Sequence, residues 1–226
     1  MKDQKPIRLS NPDSDFSPEE LNRILSRKDA ELDWMDFDCL FFGKMPAGTY
    51  EEVRYYIPLI CAYIENQQDA CNFFEHFSIW IEDNYARLKE DGFVDPIISA
   101  FHAIFRKATS SFELEYNGDH AVYPSACASV GSVLEALFRL SPSCPEFNPD
   151  ALFFELKEDM CFVHTQWIVY ISTEMTMLSP EKIRTVISSS DYQKALAVLE
   201  DHIDLILNDA TAYDFWNKVT AQPGTS

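Results

Sequence analysis

Residues 34–65 read WMDFDCLFFGKMPAGTYEEVRYYIPLICAYIE, and the folding of this stretch decides the fold class. Its second half opens after Pro46-Ala47-Gly48 with Thr49-Tyr50-Glu51-Glu52. Thr followed three residues later by Glu is a capping box. The Thr hydroxyl accepts the N3 amide and the Glu carboxylate reaches back to the Thr amide. The apolar run behind it predicts a helix to about Glu65. Pro58 removes one hydrogen bond inside that helix and should kink it. The first half, Trp34 to Phe42, packs aromatics beside carboxylates. Together with Asp29, Glu31 and Asp33 upstream, its period fits a short strand, an extended loop or a helix.

Working outward, Ser17-Pro18-Glu19-Glu20 is a helix start with Ser at the N-cap, Pro at N1 and Glu at N3. Leu21, Ile24 and Leu25 then give one apolar face to about Lys28. Residues 1–15 read as a flexible polar arm with Ile7 and Leu9 as its apolar contacts. Downstream, Cys71, Phe74, Phe77, Ile81, Tyr85 and Leu88 recur at helical spacing from Gln67 to Glu90. Asp91-Gly92 should end that helix through a left-handed glycine. Asp95-Pro96 opens another, with Ile97, Ile98, Phe101, Ile104 and Phe105 as its buried stripe and Arg106 and Lys107 in its last turn.

Residues 110–124 alternate apolar and acidic groups up to Asn117-Gly118, which fits a small hairpin or an ordered loop. Ser125 to Leu140 returns to helical spacing, with small residues that permit close approach. The segment SPSCPEFNPD, residues 141–150, is a connecting loop. From Asn148-Pro149 one long helical pattern runs through Leu152, Phe153, Leu156, Met160, Val163, Trp167, Tyr170 and Ile171. Ser179-Pro180-Glu181 caps a short helix. Asp191 to Leu207 reads as another helix, with Leu196, Leu199, Ile203 and Ile206 or Leu207 on one face. Tyr213, Phe215, Trp216 and Val219 form a last one, and AQPGTS should fray. The expected fold is all-α: an irregular array of about eight or nine mostly antiparallel helices in one domain over residues 16–220. Loop 141–149 marks the place for a sub-domain junction, but 75 residues beyond it would make a thin core alone.

Composition agrees with a packed chain. Of 226 residues, 46% are hydrophobic, with 17 Phe, 10 Tyr and 4 Trp, enough to exclude disorder for most of the length. Net charge is −19, against roughly 2–8 in magnitude for a small soluble domain. Residues 1–93 hold 19 acids and 10 Lys or Arg; residues 94–226 hold 18 and 8. The charge therefore belongs to the folded body and not to a tail. It serves solubility, or it steers the protein towards a basic protein partner. Direct nucleic-acid binding is disfavoured, because phosphates need a basic stripe. The six cysteines show no C-x-x-C and fit buried thiols of a reducing compartment. The first residues lack an apolar signal core and no apolar run reaches 18 residues. The expectation is a cytoplasmic protein that does not span a membrane.

Chemical motifs are scarce. His76, His102, His120, His164 and His202 form no H-x-x-x-H, H-E-x-x-H or E-x-x-H pattern, so no metal or cofactor is expected. Glu200, Asp201, His202, Asp204 and Asp209 read as a solvated helix face. No G-x-S-x-G occurs, and Gly43-Lys44 and Gly48-Thr49 lack the rest of a phosphate loop. Cys161 and His164, three apart on the long helix, read as a core thiol beside a half-buried imidazole. No catalytic residue is assigned. The remaining candidate is the acid–aromatic segment, with Glu31, Asp33, Trp34, Asp36, Phe37 and Asp38 as partner-binding residues. Carboxylates pair with Lys and Arg, and an aromatic supplies an anchor. The reading is an acidic, non-enzymatic interaction protein: an inhibitor, or an immunity- or antitoxin-like neutraliser of a basic partner. The alternatives are an enzyme with a helical carboxylate- and His-lined pocket, or a helical regulatory adaptor.

Overall fold

The structure is a computed structural model that describes residues 4–10, 16–41, 46–66, 74–117, 121–208 and 210–220. Cys71, Gly43-Lys44, Gly118, His120, Asp209 and AQPGTS lie outside the described residues. The chain forms two compact units: Met1–Ile104 with Ala136–Asn148, and Phe105–Glu135 with Pro149–Ser226.

The first unit opens with α1 (Pro18–Ser26), whose Ser17/Glu20 capping box forms as the residues require. A 3-10 turn over Asp29–Glu31 leads into α2 (Trp34–Phe41). The acid–aromatic segment is thus helical from Trp34 onward. Helix α3 (Tyr50–Val53) starts behind Thr49, where Thr49 N–H donates to Glu52 Oε2 at 3.0 Å. A 3-10 turn over Arg54–Tyr56 separates α3 from α4 (Ile57–Asn66). Pro58 causes this break: it has no N–H for the Arg54 carbonyl and its ring crowds that oxygen.

Helix α5 (Phe74–Glu90) ends at Gly92, whose φ of +75° is the left-handed cap the sequence implied. Helix α6 (Val94–Thr109) follows, and its residues to Ile104 belong to this unit. The core is aromatic. Phe41 packs on Phe77 and Trp80, with centroids 4.8 and 5.2 Å apart. Phe101 meets Phe74 at 5.2 Å and Phe147 at 6.2 Å. Phe147 and Cys144 are fully buried, so the proline-rich loop is pinned by its own side chains. Ile7, expected as a contact of the arm, is 96% exposed. Leu9, the other expected contact, is half-buried with its Cδ2 against Gly48, and polar bonds hold the rest of residues 4–10: Lys5 to Asp29, and Ser10 to Glu52.

In the second unit, Leu114–Asn117 and Ala121–Pro124 form a two-stranded antiparallel hairpin, with Leu114 opposite Pro124 and Tyr116 opposite Val122. Helix α7 (Cys127–Leu140) follows, and its residues to Glu135 belong to this unit. Its Gly131 is needed for close packing, since a Cβ there would fall 1.7 Å from Met177 Sδ. Helices α8 (Asp150–Glu158), α9 (Phe162–Thr173), α10 (Pro180–Val186), α11 (Ser189–Asp201), α12 (Ile203–Leu207) and α13 (Ala210–Thr220) complete it. Helix α9 is its centre. Every residue from Thr165 to Ile171 is buried, as a helix surrounded on all sides requires. Trp167 Nε1 donates to the Ser111 carbonyl at 2.9 Å, and Phe112 sits against Trp167 and Phe215.

The described residues hold thirteen α-helical segments, more than the eight or nine expected. Beyond α2, the excess comes from three interruptions. One is the Pro58 turn. The others split the pattern after Pro149 at 159–161 and the pattern after Asp191 at His202. Both follow paired acids, Glu158-Asp159 and Glu200-Asp201, where negative charge opposes the helix C-terminal dipole. In both, a histidine Nδ1 bonds a carbonyl at the helix end: His164 to Asp159 at 2.6 Å and His202 to Val198 at 2.8 Å. Apolar periodicity continues across such breaks and so hides them.

Candidate functional site

The candidate segment is built from α1 outward. Helix α1 carries Arg23 in its last turn and ends at the extended C-cap Arg27, and both arginines reach the start of α2. Asp33 is the N-cap of α2. Its Oδ1 accepts the amides of Met35 at 3.0 Å and Asp36 at 3.3 Å, and its carbonyl accepts Phe37 N–H at 3.1 Å. Asp36 answers from N3, its Oδ2 accepting the Asp33 amide at 3.1 Å. This D-x-x-D unit is a capping box made entirely of aspartates. Arg27 Nη1 closes it, donating to Asp33 Oδ2 at 2.9 Å and to Asp36 Oδ2. Arg23 Nη2 lies 3.2 Å from Asp36 Oδ1 without hydrogen-bond alignment, so it compensates charge and makes no directed bond there.

The six candidate residues divide accordingly. Asp36 has no exposed surface and Phe37 is 1% exposed, with its ring edge-on to Tyr63 at 5.2 Å. Neither can meet a partner. Phe37 fills the core, and Asp36 ties α2 to α1. Glu31 is exposed and pairs with Lys28 at 3.5 Å. Asp33 is half exposed beside Arg27. Asp38 lies 3.3 Å from His76 Nδ1 and is mostly covered. Trp34 and the adjoining Met35 stand out, 40% and 49% exposed, on a helix whose next residues enter the core.

Electrostatics follow from this wiring. Burial alone would raise the Asp33 carboxyl, but the Arg27 bond and the Asp36 and Met35 amides outweigh it and hold the carboxyl below its ordinary range. Asp29 accepts the Tyr55 hydroxyl at 2.6 Å and pairs with Lys5; that bond, with burial second, pushes the Tyr55 phenol up to about 12. Each acid of the segment therefore has a cationic or histidine neighbour within the protein.

The other candidates are dispersed. Cys161 and His164 do not share a helix interior: Cys161 is the N-cap of α9 and His164 its third residue. Cys161 is exposed, against the expectation of a core thiol, because the break at 159–161 lifts it from the helix. Cys39, Cys61 and Cys144 are buried free thiols, as expected. Burial pushes Cys39 up to about 11 and Cys61 up to about 12. Glu200, Asp201 and Asp204 are exposed around the His202 break. No described helix is long and apolar enough to cross a membrane. Compared with known proteins, the chain matches no family model, no curated protein and no solved structure.

Proposed function

We propose that the protein is a non-enzymatic interaction protein that docks a basic partner protein through Trp34 and Met35. The observation that carries this reading is the exposure of these two side chains in the first turn of an otherwise buried helix. Their backbone is held by the Asp33/Asp36 cap and by Arg27. An aromatic anchor fixed before binding loses little freedom on association. Glu31 and Asp33 offer carboxylates beside it, and the chain's −19 charge favours basic partners and repels nucleic acid. An inhibitor or an immunity- or antitoxin-like neutraliser acts in this way, by covering a basic surface.

Because the acids of the segment already have internal partners, its specificity rests on the aromatic anchor. Long-range attraction rests on the charge of the whole chain. The test is affinity capture from the native host at low salt. A basic protein should be retained by the parent, released by high salt, and not retained by folded Trp34→Ala. Retention of the same protein by both forms would exclude this surface.

A further inference from the structure

The break between α8 and α9 brings together three side chains of different donor chemistry. Asp159 ends α8, Cys161 caps α9 and His164 is one turn inside it. One ligand atom from each, a carboxylate oxygen, Sγ and a ring nitrogen, lies within 4.8 Å of the other two. We propose that Asp159, Cys161 and His164 form a binding site for a thiophilic divalent cation, with zinc as its natural occupant.

The donor set is the first ground. Thiolate, imidazole and carboxylate together suit zinc, whereas calcium and magnesium take oxygen ligands. Three protein donors leave a fourth tetrahedral position for water or a ligand from a partner. Donors at about 2.0–2.3 Å from one tetrahedral ion are roughly 3.5 Å apart. The nearest donor atoms of the three side chains thus stand about 1 Å farther apart than in a bound site, and rotation of the side chains has to close the gap and turn Nε2 towards the ion. The exposed thiol has the freedom to do so.

The histidine is the second ground. His164 Nδ1 lies 2.6 Å from the Asp159 backbone carbonyl, which can only accept, so the Nδ1 carries the proton. In the neutral ring the lone pair is then on Nε2, the tautomer that metal-binding histidines adopt when a carbonyl fixes the other nitrogen. The backbone of one proposed ligand thus orients the ring of another. The D-x-C-x-x-H spacing matches none of the helical metal motifs, because the ligands meet across a helix break. On binding, zinc displaces the Cys161 thiol proton to solvent, so affinity rises with pH.

The test titrates zinc alone into the full reduced chain, kept in a non-thiol reductant. Calorimetry should show one saturable ion per chain. Cys161→Ser and His164→Ala should each weaken binding beyond the about 10–100-fold that outer-shell changes cost. With cobalt in place of zinc, thiolate-to-metal absorption should appear in the parent and vanish in Cys161→Ser. Zinc should also slow alkylation of Cys161 in the parent, a readout that needs no variant to fold. An unsaturable parent titration, a cobalt–thiolate band unchanged in Cys161→Ser, or Cys161 alkylation indifferent to zinc would overturn the site.

Discussion

Asp33 and Asp36 cap the same helix from opposite ends of one turn: Asp33 Oδ1 accepts the Asp36 amide at 3.3 Å, and Asp36 Oδ2 accepts the Asp33 amide at 3.1 Å. This exchange converts two residues of an acid-rich stretch from surface charge into structure. It also fixes the direction in which Trp34 and Met35, the two residues between them, leave the backbone.

Asp36→Ala should cost more than the loss of any exposed acid of the segment. It takes a shared partner from Arg23 and Arg27, whose side chains keep contact with water, and it removes half of the cap. Loss of the cap and of the charge-assisted bonds costs about 2–3 kcal/mol. Asp38→Asn, whose His76 partner is near the surface, should cost no more than about 1 kcal/mol. Denaturant unfolding of the two variants checks the contrast, and equal losses would contradict the wiring.

Asp33→Asn isolates charge from capping, because Asn caps a helix about as well as Asp. The Asp33 carboxyl titrates below its ordinary 3.8 when folded. Its charge therefore stabilises the fold fully above that value, and the contribution is lost as pH falls through the folded value. At neutral pH the variant should be less stable than the parent by no more than about 1 kcal/mol, since the pair is half exposed and screened. Well below 3.8 the two melting temperatures should converge. A constant gap across pH would rule out the Arg27 pairing as the cause.

Phe101→Ala tests the aromatic core of the first unit. Phe101 has no exposed surface and touches Phe74, Phe77 and Phe147. The change should cost about 3–5 kcal/mol, read as a lowered denaturation midpoint at unchanged slope.

Tyr56→Phe should move stability the other way. The Tyr56 side chain is fully buried, and its hydroxyl has no hydrogen-bond partner among the described residues. Burial keeps the phenol protonated, raising it well above its usual value. Removing an unsatisfied buried hydroxyl should stabilise the protein by about 1 kcal/mol, seen as a higher melting temperature.

The sequence made the helical class legible wherever start signals were local. Ser17-x-x-Glu20, Thr49-x-x-Glu52, Ser179-Pro180 and Gly92 all mark helix ends in the structure. Helix breaks were hidden where apolar spacing continued through them, as at 159–161 and His202. The paired acids before each break were the available signal. Asp33-x-x-Asp36 was equally readable as a cap, yet its acidity drew it into a binding surface. Whether Phe37 or Trp34 faces inward depends on where α1 and α4 pack, and no local pattern carries that information.

The most direct test of the docking surface is the dissociation rate of the captured basic protein from parent and Trp34→Ala. Trp34 is 40% exposed, so the variant should fold with parent-like melting. Loss of an aromatic anchor acts mainly on release, and dissociation should speed up by about tenfold or more, with association and its salt dependence little changed. A folded Trp34→Ala that releases the partner at the parent's rate would contradict the account.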